Sequence, residues 1–174
     1  MDIILTGFMG TGKTSVGQCV ADLLRLPFYD VDQQIELKSG RTVAEIFQQQ
    51  GEEVFRKMEI AAIAALPVGR RMVISTGGGA LLNPQNRALL DRRGPLICLT
   101  ATSTTLASRL KGDRSRPLLA GNISEEKMQK LMTERQAFYA LCSVRIETDG
   151  KSIRQVADEV IRQSGGAEVP HVSG

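Results

Sequence analysis

Near the N-terminus, Gly7-Phe8-Met9-Gly10-Thr11-Gly12-Lys13-Thr14 follows the pattern G-x-x-x-x-G-K-[ST]. Each specified position has a task in holding a triphosphate. Glycines let successive backbone N–H groups converge on phosphate oxygens, where a Cβ would block the turn or the approach. A helix opening at Lys13 adds the positive end of its dipole. Lys13 can reach the β- and γ-phosphates and the Thr14 hydroxyl can ligate Mg²⁺. Gly10, Thr11, Gly12 and Ser15 complete the expected phosphate-binding set. The pattern follows a β-like run, Ile3-Ile4-Leu5, and precedes a helical one, which is the context a P-loop requires. A merely Gly-rich turn is the bland alternative, and that context weighs against it. The motif implies a bound nucleotide and leaves its use open.

P-loops serve kinases, GTPase switches and ATPase motors, so other residues must decide. The guanine-reading pattern N-K-x-D is absent from the sequence. A motor needs an apolar strand ending in Asp, with a Glu nearby to activate water. The best candidate strand, Met72-Val73-Ile74-Ser75, runs instead into Thr76-Gly77-Gly78-Gly79. Glycines after a strand suit close approach of backbone to a ligand, or simply a flexible turn. Acids occur elsewhere, in Phe28-Tyr29-Asp30-Val31-Asp32. An extended chain would send Asp30 and Asp32 to the same side. One could serve Mg²⁺ through water while the other holds or deprotonates an attacking hydroxyl. Two acids after a strand are also common as helix caps.

Two arginines sit beside apolar faces. Arg56 neighbours Phe55, Met58, Ala62 and Leu66, and on its own reads as an exposed helix cation paired with Glu52, Glu53 or Glu59. Arg135 lies between Leu131 and Tyr139, where a lone arginine is usually structural. The basic stretch Arg109-Leu110-Lys111-Gly112-Asp113-Arg114-Ser115-Arg116-Pro117 could be a solvated charge run. Between helices of a nucleotide-binding fold, a mobile arginine-bearing segment can instead close over phosphates and exclude water.

These residues need a frame to hold them. Runs at residues 3–6, 28–30, 72–75, 96–99 and 144–147 read as strands, several of them continuously apolar, as expected when both faces are covered. Helical patterns fill residues 13–24, 51–66, 84–91, 124–141 and 152–162. Asn83-Pro84 supplies an N-cap and N1 proline, and Ser124 and Ser152 are further candidate caps. Alternating strands and helices imply right-handed crossovers, a parallel sheet and helices on both faces. Ligands in such α/β sheets collect outside the carboxyl ends of the strands, where the unusual residues above fall.

The totals agree with one domain. A chain of 174 residues with 42% hydrophobic and 24% charged residues can build one full-sized core. A net charge of +3 gives no argument for a nucleic-acid or membrane partner, and none is expected. Cys19, Cys98 and Cys142 are widely spaced in apolar segments and read as reduced, buried thiols. No basic leader with a long apolar run opens the chain, and no run reaches the ~18 apolar residues of a membrane span, so a cytoplasmic protein is expected. The only histidine, His171, lies in a tail from Ser164 onward that has no period and is expected to be disordered, which nearly excludes a histidine-based catalyst. Nothing demands a dimer, and a monomer is expected.

Together these pieces resemble the shikimate kinases, small P-loop metabolite kinases, over about residues 1–163. The resemblance rests on the P-loop, Asp30-Val31-Asp32, Phe47 with Gly51…Phe55-Arg56-x-x-Glu59, Gly77-Gly78-Gly79, Arg116-Pro117-Leu118-Leu119 and Glu134-Arg135…Tyr139. It implies a three-layer P-loop NTPase fold with a five-stranded parallel sheet in order 2-3-1-4-5. It also implies a substrate-binding region near 31–66 and a mobile lid near 110–123. The implied reaction is ATP plus shikimate giving shikimate 3-phosphate and ADP, with Mg²⁺ accompanying the nucleotide. By the same resemblance Asp32 matches the acid on the reacting ring hydroxyls, a candidate base. Arg56 and Arg135 match the pair on the substrate carboxylate, Gly78 and Gly79 the backbone lining the site, and Arg116 the lid arginine. Asp30 matches the acid near Mg²⁺ and Arg109 the adenine-stacking position. Adenine contacts near 148–152 are weakly patterned. A kinase for another small hydroxy acid such as gluconate, and a nucleotide-binding regulatory module without transfer, stay open as alternatives.

Overall fold

The computed structural model describes residues 1–111 and 125–165. Arg116 and most of the expected lid, the Ser124 cap, and the tail beyond Gly165 with His171 lie outside the described residues. Strands β1 (Ile3–Gly7), β2 (Phe28–Asp30), β3 (Val73–Ser75), β4 (Leu96–Thr100) and β5 (Val144–Glu147) form one sheet in the order β2-β3-β1-β4-β5. Every pairing is parallel, with Ile4 opposite both Ile74 and Leu96. That is the expected order 2-3-1-4-5.

Period-two alternation along β1 feeds two cores. Ile3 and Leu5 join Val73, Ile97 and Leu99 under helices α1 (Lys13–Leu24) and α8 (Ile153–Gln163), through Val16, Val20, Val156 and Val160. Ile4, Ile74 and Cys98 face the opposite layer. That layer contains α2 (Val31–Ser39), α3 (Val43–Gln50), α4 (Glu52–Ala64) and α5 (Pro84–Asp91), the last entered by a short 3₁₀ turn at Ala80–Leu82. A third cluster, Phe8, Met9, Leu106, Leu110 and Met128, seats α6 (Ser103–Leu110) and α7 (Glu125–Tyr139) on the P-loop. Full burial of a side chain as large as Met128 stabilises this seat by about 1.5–3 kcal/mol. Cys98 and Cys142 are buried thiols, and Cys19 is half-buried.

The sheet is pinned at its N-terminal end by Asp2. Its carboxylate accepts the Met72 N–H at 2.9 Å and the Arg93 Nε–H at 2.8 Å. Arg93 also reaches the Pro67 carbonyl at 2.6 Å. The starts of β1, β3 and β4 are thus tied to one carboxylate that is almost entirely buried. Asp2→Ala would strand a buried N–H and a part-buried guanidinium, and should lower stability by about 1–3 kcal/mol. A fall in the urea midpoint at constant slope would report it; an unchanged midpoint would show that the clamp carries no weight.

Two expectations need correction. Residues 30–32 do not stay extended. Asp30 accepts the Gln33 N–H at 3.2 Å and so starts α2 at Val31. The extended spacing therefore does not set their directions, although both side chains still line one cleft. The basic stretch also begins in a helix, since Arg109 and Leu110 are the last turn of α6, capped at its other end by Thr102.

Candidate active site

The P-loop fills the turn between β1 and α1, with positive φ at Gly7, Gly10 and Gly12. At Gly7 a Cβ would run into the Leu99 carbonyl of the neighbouring strand, so no other residue fits. Gly12 caps α1 without a side-chain acceptor, which leaves the helix's first N–H groups open to an anion. The Lys13 ammonium donates to the Phe8 carbonyl at 2.9 Å, holding the cation over the loop. Gly10, Gly12, Lys13, Thr14 and Ser15 line a cleft of about 500 Å³ with Asp30, Asp32, Thr76 and Arg109. Thr11 differs from its neighbours. Its side chain is buried, donates to the Phe8 carbonyl at 2.7 Å and lines a separate hollow with Phe8, Leu99 and Thr100.

Thr14 donates its hydroxyl to Asp30 Oδ2 at 2.8 Å. The other Asp30 oxygen caps α2, which fixes the carboxylate at the cleft wall. A hydroxyl and a carboxylate side by side are hard oxygen donors suited to Mg²⁺ that keeps most of its waters. Arg109 bridges the cleft's rim, donating from Nη1 to the Gly10 carbonyl at 3.2 Å and to Thr148 Oγ1 at 3.0 Å. Thr148 in turn donates to the Thr100 carbonyl at 3.0 Å. The weakly patterned segment near 148 is therefore tied to the P-loop by the arginine expected at the base.

A smaller pocket adjoins the cleft, lined by Met9, Asp32, Val43, Phe47, Phe55, Arg56, Glu59, Gly77, Gly78, Gly79 and Arg135. Asp32 and Val43 stand in both walls. Arg56 comes from α4 and Arg135 from α7, two helices far apart in sequence that meet over the glycines after β3. Arg135 is only 6% exposed, donates to the Gly78 carbonyl at 3.3 Å and lies 5.4 Å over the Phe8 ring. Tyr139, one turn on, donates to the same carbonyl at 2.6 Å, and burial pushes its phenol well above the usual range. It therefore remains a donor at any working pH.

Arg56 keeps the pairings its helix offers. Nε and Nη2 donate to Glu52 Oε1, and Nη1 donates to Glu59 Oε2 at 3.0 Å. Burial works against the charge, but Glu59 and Glu52 more than offset it and raise the guanidinium's pKa. It is not a solvated surface cation, because it packs over Phe55 and against Gly79. The glycines exist for this approach. A Cβ at Gly79 would stand 2.5 Å from Arg56 Nη2, and one at Gly77 would stand 2.8 Å from both Asp32 Oδ1 and Glu59 Oε1. Helix spacing offered Glu59 as a partner of Arg56, which it is, but gave no sign of its burial against Gly77; nothing in the spacing gave Tyr139 a partner.

A family model described as "Shikimate kinase" matches residues 9–164. The shikimate kinase of Geobacter sulfurreducens is 45% identical over 159 residues, 91% of this chain and 88% of that one. The shikimate kinase of Caldanaerobacter subterraneus subsp. tengcongensis is 44% identical over 161 residues, 92% of this chain and 94% of that one. Among solved structures, a shikimate kinase from Acinetobacter baumannii in complex with shikimate superposes with a TM-score of 0.88 at 35% identity, covering 93% of this chain and 91% of that one. Sequence, sheet order and a two-part cleft all lead to one assignment: the chain belongs to the shikimate kinase family.

Proposed function

We propose that the chain transfers the γ-phosphoryl group of ATP to the 3-hydroxyl of shikimate. The observation that carries this reading is the place of Asp32, in the wall shared by the phosphate cleft and the pocket holding two arginines. A hydroxyl held there meets a phosphate held by the P-loop. Arg56 and Arg135 take the substrate carboxylate, since a planar fork suits a carboxylate better than an ammonium does. Uncharged polyols are disfavoured because they leave both cations unpaired. The gluconate alternative has less support, because the relatives at 44–45% identity are shikimate kinases.

In the transfer, Lys13 and the α1 N-terminus offset charge on the phosphoryl oxygens while Asp32 orients the hydroxyl and accepts its proton late. Mg²⁺, held by Thr14 and through water by Asp30, would neutralise phosphate charge. One hydroxyl and one water-bridged carboxylate would leave most of the ion's coordination to water and phosphate, so it would come with the nucleotide. Arg109 serves the adenine side. The binding region spans about 31–66. Both arginines and the P-loop come from one chain, which suits a monomer. Among the described residues no helix is long and apolar enough to cross a membrane, and three free thiols suit the cytoplasm.

Mass spectrometry of a reaction with shikimate and Mg·ATP should give a singly phosphorylated product. Turnover of gluconate with none of shikimate would overturn the substrate. Arg56→Ala removes charged hydrogen bonds of about 1.5–3 kcal/mol, so KM for shikimate should rise at least ~10-fold with a smaller change in kcat. An unchanged KM would remove Arg56 from the site.

A further inference from the structure

Glu59 is a carboxylate with no part in the chemistry described so far. It is 0% exposed, the deepest charged side chain of α4. Oε2 accepts from Arg56, whereas Oε1 is buried without a hydrogen-bond partner among the described residues. Oε1 and Asp32 Oδ1 flank Gly77, each 2.8 Å from where its Cβ would stand, so the two oxygens lie at most twice that distance apart. Arg135 faces the same space from α7. Among the described residues the charged groups acting on Glu59 are thus Arg56 on α4, Asp32 on α2 and Arg135 on α7, with Glu52 on the other side of Arg56. Burial pushes the Glu59 carboxyl up to about 7; Arg56 opposes that shift, Asp32 adds to it and Arg135 opposes it.

The two arginines already face as many acids as they can neutralise: the buried Glu59, the half-buried Asp32 and, on the outer side of Arg56, Glu52. Arg56 donates three of the five N–H groups of an arginine to Glu52 and Glu59. A substrate carboxylate that takes the remaining two becomes a third anion on one guanidinium. A like charge at that range disfavours ionisation, and most strongly for the anion with least access to water. Glu59 is that anion.

We propose that Glu59 balances the charge of the substrate pocket, taking a proton from solvent onto Oε1 when a carboxylate substrate seats on Arg56 and Arg135. Protonation leaves Asp32 as the anion facing the acceptor hydroxyl and relieves the repulsion between the two carboxylates. It also ties proton uptake to acids: a polyol without a carboxylate gives no such uptake. The inference rests on the shikimate reading above.

Because the proton-bound form is favoured in the complex, affinity should be greatest below the free-protein value and fall as pH rises through and above ~7, by up to tenfold per pH unit. Shikimate's own carboxyl is ionised throughout that range. Isothermal titration calorimetry of the full chain with shikimate at pH 7.5, in Tris and in phosphate, separates buffer ionisation heat from binding heat. About half a proton or more should be taken up per shikimate bound. Glu59→Gln should abolish the uptake and flatten the pH dependence of Kd. Should that variant fail to fold, the Glu59 carboxyl ¹³C resonance of the native protein, titrated with and without shikimate, should show the pKa rising on binding. Equal heats in the two buffers with shikimate bound, uptake that persists in Glu59→Gln, or a carboxyl titration unmoved by shikimate overturns the proposal. Absence of any shikimate binding would sink the substrate reading, and this inference with it.

Discussion

Lys13→Ala is expected to abolish measurable phosphoryl transfer, lowering kcat by ~10²–10³-fold or more, as loss of a fixed donor to a developing charge does elsewhere. The lysine begins α1, and its ammonium donates to the Phe8 carbonyl at 2.9 Å. That contact keeps the charge over the cleft before any nucleotide arrives, so little is lost in arranging it. Its attraction grows as negative charge spreads over the departing phosphoryl group, which places the effect on kcat more than on ATP binding. Release of ADP coupled to NADH oxidation measures it, with circular dichroism as the check on folding. Activity within tenfold of the native enzyme would take Lys13 out of the transition state.

Asp32→Asn should lower kcat by at least ~10²-fold, within the usual range for acid–base groups. The substitution keeps the size of a side chain that stands between Gly77 and the two halves of the cleft. On the proposed reading it loses the charge that orients the hydroxyl and the oxygen that accepts its proton. KM should move less than kcat if, as proposed, the arginines hold the substrate carboxylate. A kcat within a few-fold of the native value would leave Asp32 a contact residue and require another acceptor for the proton.

Much of the frame was legible from local pattern. All five strands and the helices at 13–24, 84–91 and 153–163 lie where apolar runs, Asn83-Pro84 and Ser152 place them. Three helices, α2, α3 and α6, were missed. α2 carries little amphipathic pattern to reveal it, and it starts because Asp30 caps it, an alternative the sequence left open. α3 did leave a signal, Thr42-Val43-Ala44-Glu45, which closes a capping box. The site was less legible because it is built by convergence. Arg56 and Arg135 each look like ordinary helix cations until the sheet order brings α4 and α7 over the same glycines. The sheet order itself came from family resemblance, since no local pattern states which strands are neighbours. Glu59 was hidden for a related reason: one turn of helix cannot show that its outer face is covered.

The run Gly77–Gly79 gives the pocket a floor of bare main chain on which the head groups of Asp32, Arg56 and Glu59 rest directly. Such a floor has nothing to trim and no room to add. An effort to redirect the enzyme toward bulkier acids will find only losses at these three positions. The adjustable surfaces are the uncharged walls, Met9, Val43 and Phe47.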